Sequence, residues 1–109
     1  MSVPTIGAAL LFFALATTGT ARAEGDPAEG EKKAIETCAR CHVIGSHNPY
    51  GGINSTPSFW IMQEKPQVYD DKLLSVTSRR PHIGIGLDQA VTLQDLEDIL
   101  SYVHTLERP

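Results

Sequence analysis

The run Cys38-Ala39-Arg40-Cys41-His42 constrains this chain more than any other stretch. Two thiols three residues apart can bond to one edge of a flat ring, and the imidazole that follows can then reach a metal at the centre of that ring. Such a run reads as a site of covalent c-type haem attachment, with thioethers from Cys38 and Cys41 to the porphyrin vinyl groups and His42 as the proximal iron ligand. Other uses of the two cysteines ask for more than the sequence holds. A zinc site takes about four ligands, and beside the two cysteines there are only scattered histidines. A thioredoxin-like dithiol belongs in a βαβ pattern, and no strand-rich pattern is visible. A disulfide suits an oxidising compartment but leaves His42 without a role.

The N-terminus bears on that compartment. Ile6 to Ala16 is an uninterrupted run of 11 apolar residues and glycine, and Ala21-Arg22-Ala23 follows it closely. The run is too short to span a bilayer, and an A-x-A ending is a signal-peptidase pattern, so residues 1–23 read as a secretion signal. No Lys or Arg precedes the run, which leaves an uncleaved anchor as the alternative. Cleavage would leave residues 24–109 as one domain, periplasmic or otherwise exported, with no stable membrane insertion. Losing Arg22 takes the nine basic residues to eight against thirteen acidic ones, a formal charge of −5. An acidic surface argues against nucleic acid and suits a redox partner that docks through a basic patch of its own. A domain this small buries little apolar surface and commonly needs a staple. A haem would supply that core.

The first helix is signalled by Asp26 as cap, Pro27 at the first helical position and Glu29 as the return half of a capping box, and is expected from Pro27 to Ala39. Gly30, Ala34 and Cys38 recur every four residues, so they share one face. Gly45, Asn48-Pro49 and Gly51-Gly52 mark residues 43–56 as a loop. A short helix is expected from Phe59 to Glu64, stopped by Pro66, then another from Val68 to Val76, with an irregular stretch from Thr77 to Ala90. Thr92 and Asp95 form a second cap and return pair, after which Leu93, Leu96, Ile99, Leu100, Val103 and Leu106 give an amphipathic helix.

The chain resembles the class I cytochrome c family. The resemblance is carried by the C-x-x-C-H run, by Asp26-Pro27-Ala28-Glu29-Gly30 opening the first helix, and by Leu96-Glu97-Asp98-Ile99-Leu100-Ser101-Tyr102-Val103, which looks like the family's C-terminal helix. Pro57-Ser58-Phe59 and Arg80-Pro81-His82 match in the middle, where the family's Met-Pro is missing. The resemblance implies an all-α fold, class I cytochrome c-like, with three to five short helices wrapped around one covalently bound haem c. Its N- and C-terminal helices would cross at Gly30, with Ile99 and Tyr102 at the matching positions. It also implies that a backbone carbonyl of Pro57-Ser58-Phe59 accepts the Nδ1 proton of His42, which orients the imidazole and makes it more basic.

The distal iron ligand stays open between three readings. His82 lies 40 residues after His42 in the loop where the family supplies Met, between Pro81 and the glycines 84 and 86. Met62, 20 residues after His42, is the only other methionine besides the initiator and could instead fill a gap in the core. With neither bound, Ile83 or Ile85 would lid an open iron. His47 reads as surface, and His104 suits the last turn of its helix, where a partly cationic imidazole complements the dipole. Arg79 and Arg80 are either donors to haem propionates or a solvated basic pair. Trp60 and Tyr50 could donate to a propionate or cover the haem edge. The sequence holds no acid–base pair or nucleotide loop, so the expectation is an electron-transfer protein rather than an enzyme: an exported one-electron carrier between redox partners. The alternatives are a haem protein that binds a diatomic gas or reacts with peroxide, and a haem subunit that docks on a larger oxidoreductase.

Overall fold

The computed structural model describes residues 2–4, 7, 9–11 and 25–109. The expected secretion signal, residues 1–23, lies largely outside the described residues. Among them the secondary structure is all helical, as expected: α1 (Pro27–Thr37), α2 (Phe59–Glu64), α3 (Pro66–Leu74), α4 (Leu87–Ala90) and α5 (Leu93–Thr105), with 3-10 turns at Val76–Ser78 and His82–Ile85. No helix among the described residues is long and apolar enough to cross a membrane.

α1 begins where the cap signal put it. The Asp26 carboxylate accepts from the backbone N–H groups of Ala28 and Glu29, and Pro27 takes the first helical position. The return half of the cap differs from expectation. Asp98 of α5, not Glu29, accepts the Asp26 backbone N–H at 2.8 Å, so the start of α1 is fastened to the helix it crosses. α1 also ends earlier than expected. Cys38 is its C-cap, and Ala39 N–H turns back to the same Ala34 carbonyl that Cys38 N–H uses, at 3.1 and 2.8 Å. One carbonyl serving two donors closes the helix two residues early and starts the turn that carries the cysteines.

The pairing of α1 with α5 is the most extensive between helices. It depends on Gly30: a Cβ there would run into the backbone carbonyl of Asp98 and lie 2.8 Å from the Ile99 nitrogen. Backbone therefore packs on backbone, and the glycine's helix-propensity cost of about 1 kcal/mol is offset by an approach that no larger residue allows. Ala34, Ile99 and Val103 are fully buried at this crossing, and Phe59, Ile44, Leu96 and Tyr102 extend the core beside them. α5 is fixed at its start by the expected capping box: Thr92 Oγ1 accepts from Asp95 N–H and Asp95 accepts from Thr92 N–H. Leu93, counted on the apolar face, is instead exposed. It sits at the first position of α5.

Two further boundaries moved. α3 runs from Pro66 to Leu74 rather than from Val68 to Val76, because Pro66 starts the helix at its first position instead of merely ending the previous one. Thr77 to Ala90, expected to be irregular, folds into two 3-10 turns and α4, which pack on one another. Gly86, at φ 77°, joins the second turn to α4.

Candidate functional site

The C-x-x-C-H run forms one tight turn at the end of α1. Cys41 N–H and His42 N–H both donate to the Cys38 carbonyl, at 3.2 and 2.9 Å. This folds the backbone of Cys38, Cys41 and His42 into one turn. The thiols are free, not joined as a disulfide. Burial pushes the Cys38 thiol up from its ordinary value, only partly opposed by a contact with the Thr37 hydroxyl. An activated dithiol shows the opposite shift, which counts against thioredoxin-like chemistry.

Two side chains that sequence reasoning did not single out hold this turn. The Asn48 amide donates to the carbonyls of Ala39 and His42 at 3.1 and 2.8 Å, while its oxygen accepts Ile44 N–H at 2.8 Å. Thr56 Oγ1 lies 2.6 Å from the carbonyls of both Cys41 and Ile53. In the sequence Asn48 precedes a proline and reads as a turn marker; nothing local says that its amide reaches back nine residues. A third contact comes from far along the chain. Tyr102 Oη donates to the Ile44 carbonyl at 2.6 Å, and Gly45, at φ 138°, leaves the space where a Cβ would come 2.7 Å from that hydroxyl.

The ring of His42 is oriented from behind. Its Nδ1 lies 2.7 Å from the Pro57 carbonyl oxygen. A carbonyl can only accept, so Nδ1 carries the proton and Nε2 carries the lone pair, the tautomer a metal ligand needs. The segment that does this is itself pinned, since Phe59 N–H donates to the Val43 carbonyl at 2.8 Å and the Phe59 ring sits 6.1 Å from that of His42. The expected hydrogen bond from His42 to the Pro57-Ser58-Phe59 backbone is present.

His82 faces His42. Their ring centroids are 6.1 Å apart and the planes lie 16° from parallel. His82 Nδ1 is buried and has no hydrogen-bond partner, which costs about 1–3 kcal/mol when left so. Burial, followed by the nearness of His42 and Arg79, holds the His82 imidazole below its ordinary value. A metal bound between two imidazoles needs about 2 Å to each nitrogen, and each nitrogen lies about 1 Å from its ring centre, so the span is about 6 Å. The separation fits one metal ion. Among the described residues, no three His, Cys, Asp or Glu side chains gather as a metal site. An ion between these two rings would therefore need its remaining donors from elsewhere, and a porphyrin tethered at Cys38 and Cys41 would supply four nitrogens. The donor set fits that group.

The remaining candidates fall elsewhere. Met62 is buried on α2 in the core with Phe59 and Leu73. Ile83 and Ile85 are half or more exposed on the turn that carries His82. His47 is exposed as expected, and His104 pairs with Asp70 of α3 at 3.0 Å. Arg79 is not a free solvated cation: its Nε donates to Ser75 Oγ at 3.1 Å and its Nη2 to the Lys72 carbonyl. Arg80 is exposed, Trp60 half-buried, and Tyr50 98% exposed, so Tyr50 covers nothing among the described residues. No family model, no curated protein and no solved structure matches the chain.

Proposed function

We propose that this chain is a small c-type cytochrome, class I-like in fold, that carries one electron at a time between redox partners. The observation that carries the reading is the tautomer of His42. Directly after two free thiols in one turn, an imidazole is locked by the Pro57 carbonyl with its lone pair on Nε2. A surface histidine has no need of such a lock. The contact of α1 with α5 through Gly30 also supports the reading, since the family resemblance implies that crossing.

Haem iron, when bound, gains and loses a single electron at a potential set by its axial ligands and its burial. The chain's own part is to hold and insulate. Cys38 and Cys41 would hold the ring edge through thioethers, each thiol adding across one vinyl group with its proton going to carbon and no net oxidation. Asn48 and Thr56 fix the turn that aims His42, and the core residues exclude water from its proximal side. The acidic surface favours a partner that presents a basic patch, either a diffusing protein or a larger oxidoreductase. Export through residues 1–23 accords with a thioether-bonded haem, which is assembled outside the cytoplasm.

The test is to produce the full chain in a host competent in cytochrome maturation. The purified protein should be red, keep its colour after acid–acetone extraction, and exceed the polypeptide mass by one haem. Replacing both cysteines by serine should release the pigment to the extract. A colourless, folded polypeptide of bare mass would sink the reading.

A further inference from the structure

Resting on the haem reading, we propose that His82 is the second axial ligand, so that the iron is closed on both faces by imidazole. The family resemblance would put a methionine sulfur here, and this chain departs from it. Three observations converge on His82. Its ring lies 6.1 Å from that of His42 and 16° from parallel, the span a single metal ion bridges between two nitrogens. An offset stack of the two rings could hold the same separation, but it would leave His82 Nδ1 as it stands, buried and without a partner. An iron bond at Nδ1 would give that nitrogen a partner that no group among the described residues supplies. The turn His82–Ile85 is flanked by Pro81 and Gly86 and carries exposed isoleucines, none of which can bind iron.

The rival, Met62, is taken up elsewhere: it is buried in the core with Phe59 and Leu73. α2 opens at Phe59, two residues after the proline whose carbonyl holds His42 Nδ1. The metal has to lie on the Nε2 side of His42, and a second axial ligand has to approach from beyond the metal. His82 comes from a different segment of the chain, with its ring centre 6.1 Å from that of His42.

Several consequences can be measured on the haem-loaded chain. Both oxidation states should be low-spin, with no thioether-to-iron charge-transfer band, and the ferrous protein should not bind carbon monoxide. Near-parallel imidazole planes should give the ferric protein a rhombic electron paramagnetic resonance spectrum with three resolved features, whereas crossed planes would give one strongly shifted feature. Its reduction potential should lie below that of a His/Met site. His82→Ala should convert the spectrum to high-spin and open the iron to carbon monoxide, and added imidazole should restore the low-spin bands. His82→Met should raise the potential, while Met62→Leu should leave the spectrum unchanged. Haem-loaded wild type that is high-spin, or His82→Ala that stays low-spin without added imidazole, would overturn the assignment of His82 and leave the haem reading standing. Loss of the low-spin bands in Met62→Leu but not in His82→Ala would move the ligand to Met62. Bare polypeptide mass in the wild type would overturn both proposals together.

Discussion

The turn that carries His42 and the turn that carries His82 face each other, but they are held in different ways. Behind His42 the protein meets its own needs: Asn48 bonds three backbone groups, Thr56 directs its one O–H toward the carbonyls of Cys41 and Ile53, and the Pro57 carbonyl accepts from Nδ1–H. Around His82 there is a short 3-10 turn with no side-chain cap, exposed isoleucines, and one buried ring nitrogen without a partner. The difference teaches where the missing interactions lie. The first turn finds its partners within the polypeptide, whereas the second keeps one buried ring nitrogen that has none among the described residues. Loops of few buried contacts open most easily, so substitutions in the His82 turn should cost less stability than those behind His42.

The largest effect should come from the crossing that supports the His42 side. Gly30→Ala puts a Cβ into the backbone of Asp98 and Ile99, where no side-chain rotation relieves it. α1 and α5 must separate, at a cost above about 3 kcal/mol. Thermal unfolding should show a variant that is barely folded or not at all. If Gly30→Ala melts within a few degrees of wild type, the close crossing is not what holds the two terminal helices together.

Asn48→Ala should follow, at about 2–3 kcal/mol, because it strips three half-buried backbone groups of their partner at once. Denaturant titration measures it. In the opposite turn Arg79→Ala removes the donors to Ser75 and Lys72 and should cost about 1 kcal/mol or less, since both acceptors can find water. The ratio of the two tests the comparison directly. Equal losses would mean that the His82 segment is as firmly self-supporting as the His42 turn.

Much of this arrangement was legible in the sequence, for reasons that are local. Asp26, Pro27, Thr92 and Asp95 announce helix starts through chemistry confined to one turn, and the C-x-x-C-H spacing makes its own geometry. The period of Leu96, Ile99 and Val103 gave the buried face of α5. What was not legible depends on distance. Asn48, Thr56 and Tyr102 act on carbonyls 6 to 58 residues away, and Asp98 completes the cap of a helix 72 residues earlier. A sequence pattern shows that such side chains can donate or accept, but not to what. The distal ligand stayed open between His82, Met62 and none for the same reason, since spacing along the chain does not say which segment is brought opposite His42.

The smallest effect concerns acid. The Thr92 backbone N–H, above all, holds the Asp95 carboxyl below its ordinary value, with smaller help from the Thr92 hydroxyl and from Lys33 of α1 at 3.7 Å, against a desolvation that raises it. A carboxylate whose folded value is depressed stabilises the fold at every pH above its unfolded value of about 4, and that stability is lost as pH falls through the folded value. Between pH 7 and 5 the melting temperature should therefore owe nothing to this titration, and below about pH 4 it should fall. Asp95→Asn keeps a side-chain acceptor for Thr92 N–H but removes the charge, so it should cost about 1 kcal/mol or less at neutral pH. The gap between variant and wild type should close as acid protonates the native residue. Because Lys33 and Asp95 join α1 to α5 on the His42 side, a gap that stayed constant from pH 7 to 3 would show that the cap works there as a neutral hydrogen bond, with no contribution from its charge.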